Sequence, residues 1–308
     1  RLKKELELVK TDAKKQDAYA DAINELAATY FFDKGLAFHE SSDLKNAIDS
    51  YNRSIKMNPR YAMPYYNRGV AYYEIGNNQQ AIKDYDRAIE LDPQYANAYN
   101  NRGIAYSGLG NKQQAIKDYD KAIKLNPQDA VAYCNRGRAY YEVGDKQQAI
   151  KDYDKAIELN PQYVNAYINR GSTYYLMGNK QEAIKNFDLL IKLNPQDTVA
   201  YFERGNIYYT LGNKPQAIKD FDKVIELNRQ DAKAYYSRGI VYSELGNTQQ
   251  AIKDFDKAIE IDPQDSKAYY NRGIAYYELG DKQLAIKDYD KAIERNQQDT
   301  FAYVNRGI

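Results

Sequence analysis

A phrase of 34 residues, YANAYNNRGIAYSGLGNKQQAIKDYDKAIKLNPQ from Tyr95 to Gln128, recurs almost unchanged from residue 61 to residue 298, with a partial copy after it. A unit of this size buries its apolar face only by stacking on neighbours, so a fixed period in this range dictates a solenoid. The 308 residues therefore describe one elongated array, not two ordinary domains. Packing positions must recur in every copy, so function has to be sought in what varies between them.

The copies begin at about Ala28, Ala62, Ala96, Ala130, Val164, Thr198, Ala232 and Ser266, with a stub from Thr300. Within one copy, Tyr99, Gly103, Ala105 and Tyr106 fall at helical spacing, and Gly110 supplies a left-handed stop. A second helix then opens with Asn or Asp followed three residues later by Gln or Glu: Asn77 with Gln80, Asn111 with Gln114, Asp145 with Gln148, Asn179 with Glu182. These pairs read as capping boxes, in which each side chain satisfies a free backbone donor. Ala115, Ile116, Tyr119, Ala122, Ile123 and Leu125 form its apolar stripe, and Pro127 ends it. The short turns make the two helices antiparallel.

The spacing Tyr99, Gly103, Tyr106, Ala115, Tyr119, Ala122, Pro127 resembles the tetratricopeptide repeat, and it returns in register eight times between residues 28 and 308. Tyr stands for the usual Trp, Arg229 and Gln297 replace the expected proline, and Ser42 replaces the turn glycine of the first copy. The resemblance implies an all-α, right-handed superhelical solenoid of antiparallel helix pairs. Eight repeats would span 28–299, and 300–308 would be the first helix of a truncated ninth. Residues 1–27 do not repeat. Leu2, Leu6, Val9, Ala13, Ala20, Ile23 and Ala27 alternate four-three, broken at Gln16, and no Gly or Pro precedes Gly35. A long helix running into the first repeat is expected, either a polar-faced cap for the solenoid end or a coiled-coil tether.

Lys and Arg number 44 against 43 Asp and Glu, a formal net charge of +1 that points to neither nucleic acid nor an anionic membrane as partner. One cysteine, Cys134, excludes an internal disulfide framework and fits a reducing, cytoplasmic setting. There is no apolar run of about 18 residues and no export signal. A chain opening on Arg1 and stopping at Ile308 inside a repeat reads as a fragment. Catalysis lacks its parts: His39 and Cys134 lie about three repeats apart, and no phosphate loop or metal-ligand cluster occurs. The recurrent KDYDK carboxylates read as an ion-paired outer surface of second helices. No catalytic residue, metal or cofactor is expected, and the chain reads as a binding module and not an enzyme.

In proteins resembling this one, first helices line a concave groove where ligands bind. Two residues before each helix glycine stands Asn67, Asn101, Asn135, Asn169, Asn271 or Asn305, replaced elsewhere by Asp33, Glu203 and Ser237. An amide both donates and accepts, so such a row can hold an extended backbone. Asparagine ladders work this way in long tetratricopeptide superhelices such as those of O-linked N-acetylglucosamine transferases. The alternative is that each Asn bonds a neighbouring helix and sets repeat stacking. Selectivity falls to varied neighbours: Tyr66, Asn100, Phe202, Tyr236 and Tyr270; Lys233 and Lys267; Arg138; and Tyr73, Tyr141, Tyr175 and Tyr209.

Arg68, Arg102, Arg136, Arg170, Arg204, Arg238, Arg272 and Arg306 recur too uniformly for a ligand site. Their guanidinium groups are expected to reach second-helix carboxylates such as Asp84, Asp118 and Asp152, the alternative being a basic stripe. The Lys that would open a chaperone-tail clamp is missing, its place held by Phe32, Tyr66, Asn100, Cys134, Ile168, Phe202, Tyr236 and Tyr270. The expected function is a protein-interaction scaffold holding an extended peptide or protein segment in its groove. Two alternatives stand beside it: a recruiting or regulatory arm of a larger enzyme such as a glycosyltransferase, and self-association through an open C-terminal face of Phe301, Tyr303, Val304 and Ile308.

Overall fold

A computed structural model describes residues 2–298 and 300–307, with side chains from residue 15 onward. Leu2, Leu6, Val9 and Ala13 thus lie outside the described side chains, and Asp299 and Ile308 outside the described residues. The described elements are helices throughout: α1 (Leu2–Glu40), α2 (Leu44–Met57), α3 (Ala62–Glu74), α4 (Asn78–Leu91), α5 (Ala96–Gly108), α6 (Lys112–Leu125), α7 (Ala130–Glu142), α8 (Lys146–Leu159), α9 (Val164–Leu176), α10 (Lys180–Leu193), α11 (Thr198–Thr210), α12 (Lys214–Leu227), α13 (Ala232–Glu244), α14 (Thr248–Ile261), α15 (Ser266–Glu278), α16 (Lys282–Arg295) and α17 (Thr300–Arg306). They form an all-α repeat solenoid that divides into two compact halves, Arg1–Pro161 and Gln162–Ile308. In each half the odd-numbered helix of a pair packs on the even-numbered one that follows, and each pair packs on the next.

The turns are built as their residues require. Gly76, Gly110, Gly144, Gly178, Gly212, Gly246 and Gly280 all take positive φ, between +75° and +93°. At Gly110 the chain closes a Schellman turn: the Asn111 amide donates to the Tyr106 carbonyl at 2.9 Å and the Gly110 amide to Ser107 at 3.0 Å. Ser42 takes the same left-handed place at φ +62° without glycine's freedom. The second helices are capped as expected at Asn77, Asn111 and Asp145, whose side chains accept from the amides of Gln80, Gln114 and Gln148 at 3.2, 3.3 and 3.0 Å. Two corrections follow. Asn179 makes no side-chain cap bond. The glutamine also turns forward, not back: Gln250 Nε2 donates to Asp254 Oδ1 at 3.5 Å, because a buried carboxylate one turn on needs the donor more.

The seam between paired helices is a glycine against an aromatic ring. Tyr51, Tyr85, Tyr119, Tyr153, Phe187, Phe221, Phe255 and Tyr289 are all at most 2% exposed. Each ring lies on a first-helix glycine, and a Cβ added at Gly103 would sit 2.7 Å from a Tyr119 ring carbon. Glycine inside a helix weakens it intrinsically, and here it is kept for close approach.

The arginine row clasps one repeat to the next, the packing role expected of it. Arg102 Nε and Nη2 donate to Asp118 at 2.8 and 2.7 Å, and Nη1 donates to Asp86, one repeat earlier, at 2.6 Å. Arg136, Arg204, Arg238 and Arg272 repeat this three-bond pattern with Asp152 and Asp120, Asp220 and Asp188, Asp254 and Asp222, and Asp288 and Asp256. The Asp118 side chain is 4% exposed, so the fork supplies the charge and the donors that make its burial tolerable. Each guanidinium also lies over the tyrosine one turn before it, as Arg102 over Tyr99 at 5.4 Å.

At the N-terminus α1 runs unbroken into the first helix pair, from which Ala28 and Phe32 enter the core. Side chains 15 to 26 are exposed, and Tyr19, Ile23, Leu26 and Tyr30 form an exposed stripe at four-three-four spacing. Near the other end Phe301, Tyr303 and Val304 are 74%, 47% and 60% exposed.

Candidate functional site

First helices of successive repeats touch one another: α3 meets α5 and α5 meets α7 in the N-terminal half, and α9, α11, α13 and α15 do so in sequence in the C-terminal half. Each half therefore presents a face of adjoining first helices, and the expected binding residues are carried by first helices. Asn67, Asn101, Asn135, Tyr66, Asn100, Tyr73, Arg138 and Tyr141 belong to the N-terminal half. Asn169, Asn271, Asn305, Tyr175, Phe202, Tyr209, Lys233, Tyr236, Lys267 and Tyr270 belong to the C-terminal half.

The six asparagines are half-buried, and the amino groups of Asn101, Asn135, Asn271 and Asn305 reach the preceding repeat. Asn101 Nδ2 donates to the Tyr66 hydroxyl at 3.0 Å; Asn271 donates to Tyr236 and Asn305 to Tyr270 at the same distance. Asn135 Nδ2 donates to Asn100 Oδ1 at 3.2 Å. Asn67 follows Phe32, which has no acceptor, and donates instead to its own helix at Met63 O, 3.0 Å away. Asn101, Asn135, Asn271 and Asn305 thus each spend a donor on the neighbouring repeat. For Asn271 and Asn305 no partner of the Oδ1 acceptor occurs among the described residues, and it is the part of the side chain left to offer.

Two of the three exceptions to the row, Glu203 and Ser237, fit this pairing, although Asn67 keeps its amide after Phe32. Thirty-four residues and one step earlier, Ile168 precedes Glu203 and Phe202 precedes Ser237; neither Ile nor Phe accepts a hydrogen bond, and the asparagine is absent from both following places. This correlation was present in the sequence and is found by comparing positions across the repeat junction, not down a single column. It also draws notice to Glu203, which the sequence reading did not count among the binding residues. Burial alone pushes its carboxyl above the usual glutamate value.

The remaining expected residues divide by exposure. Tyr73 is 39% exposed, and Arg138, Lys233 and Lys267 are exposed as well, alongside Met63, Val131 and Val199. Tyr66, Tyr236, Tyr270 and Phe202 are half-buried, their rings packed on Tyr85, Phe255, Tyr289 and Phe221 with centroids 5.8 to 6.0 Å apart. Asn100, expected among the selectivity residues, is instead buried at 7% exposed, its Oδ1 accepting from Asn135 and its Nδ2 donating to Asn101 at 3.2 Å each, so it serves the stack. Tyr141, Tyr175 and Tyr209 are half-buried, and the Tyr209 hydroxyl donates to Glu244 Oε1 at 2.5 Å. Burial, then that bond, pushes the Tyr209 hydroxyl up to about 12.

His39 is committed to Glu74 at 3.0 Å and Tyr51 at 3.4 Å, and Cys134 is buried on α7. Among the described residues no group of His, Cys, Asp and Glu forms a metal site, and no helix is long and apolar enough to cross a membrane.

A model of the TPR repeat matches residues 35–76, 71–110, 137–178 and 205–246, and models of the tetratricopeptide repeat match 96–129, 164–197, 232–265, 266–299 and 118–151. The chain belongs to the tetratricopeptide repeat family. Solved structures agree with that membership. A tetratricopeptide repeat protein from Parabacteroides merdae is 25% identical, with 85% of this chain and 99% of that one aligned at a TM-score of 0.60. YrrB, described as a TPR protein with an unusual peptide-binding site, is 26% identical over 62% of this chain and 98% of its own, at a TM-score of 0.52. MamA is 30% identical over 54% of this chain and 96% of its own, at 0.50. Comparison with curated proteins gives no significant match. As a tetratricopeptide repeat protein the chain is a helical scaffold suited to protein–protein interaction.

Proposed function

We propose that the first-helix face holds an extended peptide or protein segment, with the backbone met by asparagine carbonyls and the side chains by the varied residues between them. The contrast between the two surfaces carries this reading. On the second helices the exposed Lys83, Lys117, Lys151, Lys185, Lys219, Lys253 and Lys287 recur, each followed three residues later by Asp, whereas the exposed first-helix positions change: Met63, Asn97 and Val131 in one half, Val199, Lys233 and Lys267 in the other. Packing requires sameness at the core positions and has no use for difference at the exposed ones. Met63, Val131 and Val199, each 43% to 44% exposed, are apolar groups that gain from being covered. YrrB, which this chain resembles in fold, carries a peptide-binding site by its own description, which supports the same use of the scaffold.

The test is to select binders from an unbiased library of short unstructured peptides and to map the tightest by backbone amide shifts. Perturbations concentrated on α3, α5 and α7, or on α11, α13 and α15, are expected. Perturbations confined to the even-numbered helices would refute the assignment.

A further inference from the structure

A cavity of about 260 Å³ opens on the C-terminal half where the amide row is interrupted, lined by Thr198, Val199, Phe202, Glu203, Asp231 and Lys233. It has room for a side chain, being several times the ~30 Å³ of a water molecule. Its chemistry is divided. Phe202 and Val199 give an apolar wall, the former seated on Phe221 at 5.8 Å. Glu203 brings a carboxylate with no hydrogen-bond or ion-pair partner among the described residues, in a place where four other repeats of this chain keep a neutral amide that bonds its neighbour. Asp231 spends an oxygen on the Ala234 amide at 3.0 Å as the cap of α13, and Lys233 stands exposed without pairing Glu203. The three charged side chains sum to one net negative charge. A half-buried, unpartnered carboxylate destabilises the empty protein, so its presence calls for a cation that arrives from outside.

We propose that this cavity binds a lysine or arginine side chain of the extended segment held by the first-helix face, with Glu203 as its counter-ion. The inference rests on the peptide-binding reading above and names the side-chain class selected at this one place. A basic side chain fits both halves of the site: its methylene stem lies against Val199 and Phe202, and its cationic head reaches Glu203 and the face of the Phe202 ring. An acidic segment would be repelled, and an aliphatic one would leave the carboxylate desolvated and unpaired.

The test uses fluorescent peptides taken from the library binder that maps to α11 and α13, carrying lysine, norleucine or glutamate at the varied position, against wild type and Glu203→Gln. The lysine peptide should bind wild type at least about tenfold more tightly than the norleucine peptide, and Glu203→Gln should abolish that preference. Glu203→Gln should also raise the melting midpoint of the free protein, because it removes a desolvated charge while keeping shape. Equal affinity for lysine and norleucine, a preference for glutamate, or a lysine preference that survives Glu203→Gln would overturn the assignment of this cavity while leaving the peptide-binding face standing. If the library yields no peptide mapping to first helices, the broader reading fails and this one with it.

Discussion

The glycine of the Leu-Gly-Asn turn shows how one residue's backbone freedom ends a helix. Ser42 occupies that place at φ +62°, and Ser42→Gly should stabilise the protein by about 1 kcal/mol, read as a higher denaturation midpoint. Tyr119 offers the opposite kind of test. Its hydroxyl is buried without a partner among the described residues, while Phe187, Phe221 and Phe255 fill the same place elsewhere without a hydroxyl. Tyr119→Phe should leave stability unchanged or raise it by about 1 kcal/mol, and a loss larger than that in chemical denaturation would mean the hydroxyl is satisfied in solution. Residue types with a single backbone or packing use, such as Gly110 and Pro127, were legible in the sequence for that reason. Glu203 was not, because nothing about a glutamate among asparagines says whether a partner waits beside it; that depends on Ile168 in the preceding repeat and on what lines the neighbouring cavity.

Between helices the arginine fork does the work that makes adjacent repeats one stack. Arg136 joins Asp152, whose side chain is 3% exposed, to Asp120, which is 51% exposed. Removing the arginine strands a buried carboxylate, so Arg136→Ala should cost about 3 kcal/mol. Asp120→Ala breaks only the exposed limb and should cost under about 1 kcal/mol. Equal losses in equilibrium denaturation would contradict this division of labour. The helix pairs were legible because apolar spacing, cap and stop agree in every copy, and α3, α5, α7, α9, α11, α13 and α15 begin at the residues where the period places them. The capping-box pairing was less so: Asn179 does not cap, and the glutamine three residues on serves Asp254-type carboxylates whose burial the pattern alone does not reveal. The asparagine row had two uses open to it, and the bonds of Asn101, Asn135, Asn271 and Asn305 to the preceding repeat were not readable from the pattern.

Across the whole chain, buried tyrosine hydroxyls tie stability to alkaline pH. Burial, the largest cause in each case, pushes Tyr51 and Tyr289 up to about 12 and raises Tyr85, Tyr119 and Tyr153 as well. An unfolded tyrosine loses its proton near pH 10, so above that the unfolded chain binds fewer protons than the folded one and stability falls. The contribution is full below pH 10 and is lost between about 10 and 12; urea midpoints measured across that range should drop, and drop less when Tyr51, Tyr85, Tyr153 and Tyr289 are replaced by Phe. The central claim, that the varied first-helix face is the binding surface of this scaffold, is tested most directly by comparing one selected peptide's Kd for two triple variants with unchanged helicity. Met63→Ala, Val131→Ala and Arg138→Ala together should weaken binding about tenfold or more, while Lys83→Ala, Lys117→Ala and Lys151→Ala on the second helices should leave it unchanged. Undiminished affinity in the first variant, or loss confined to the second, would contradict it.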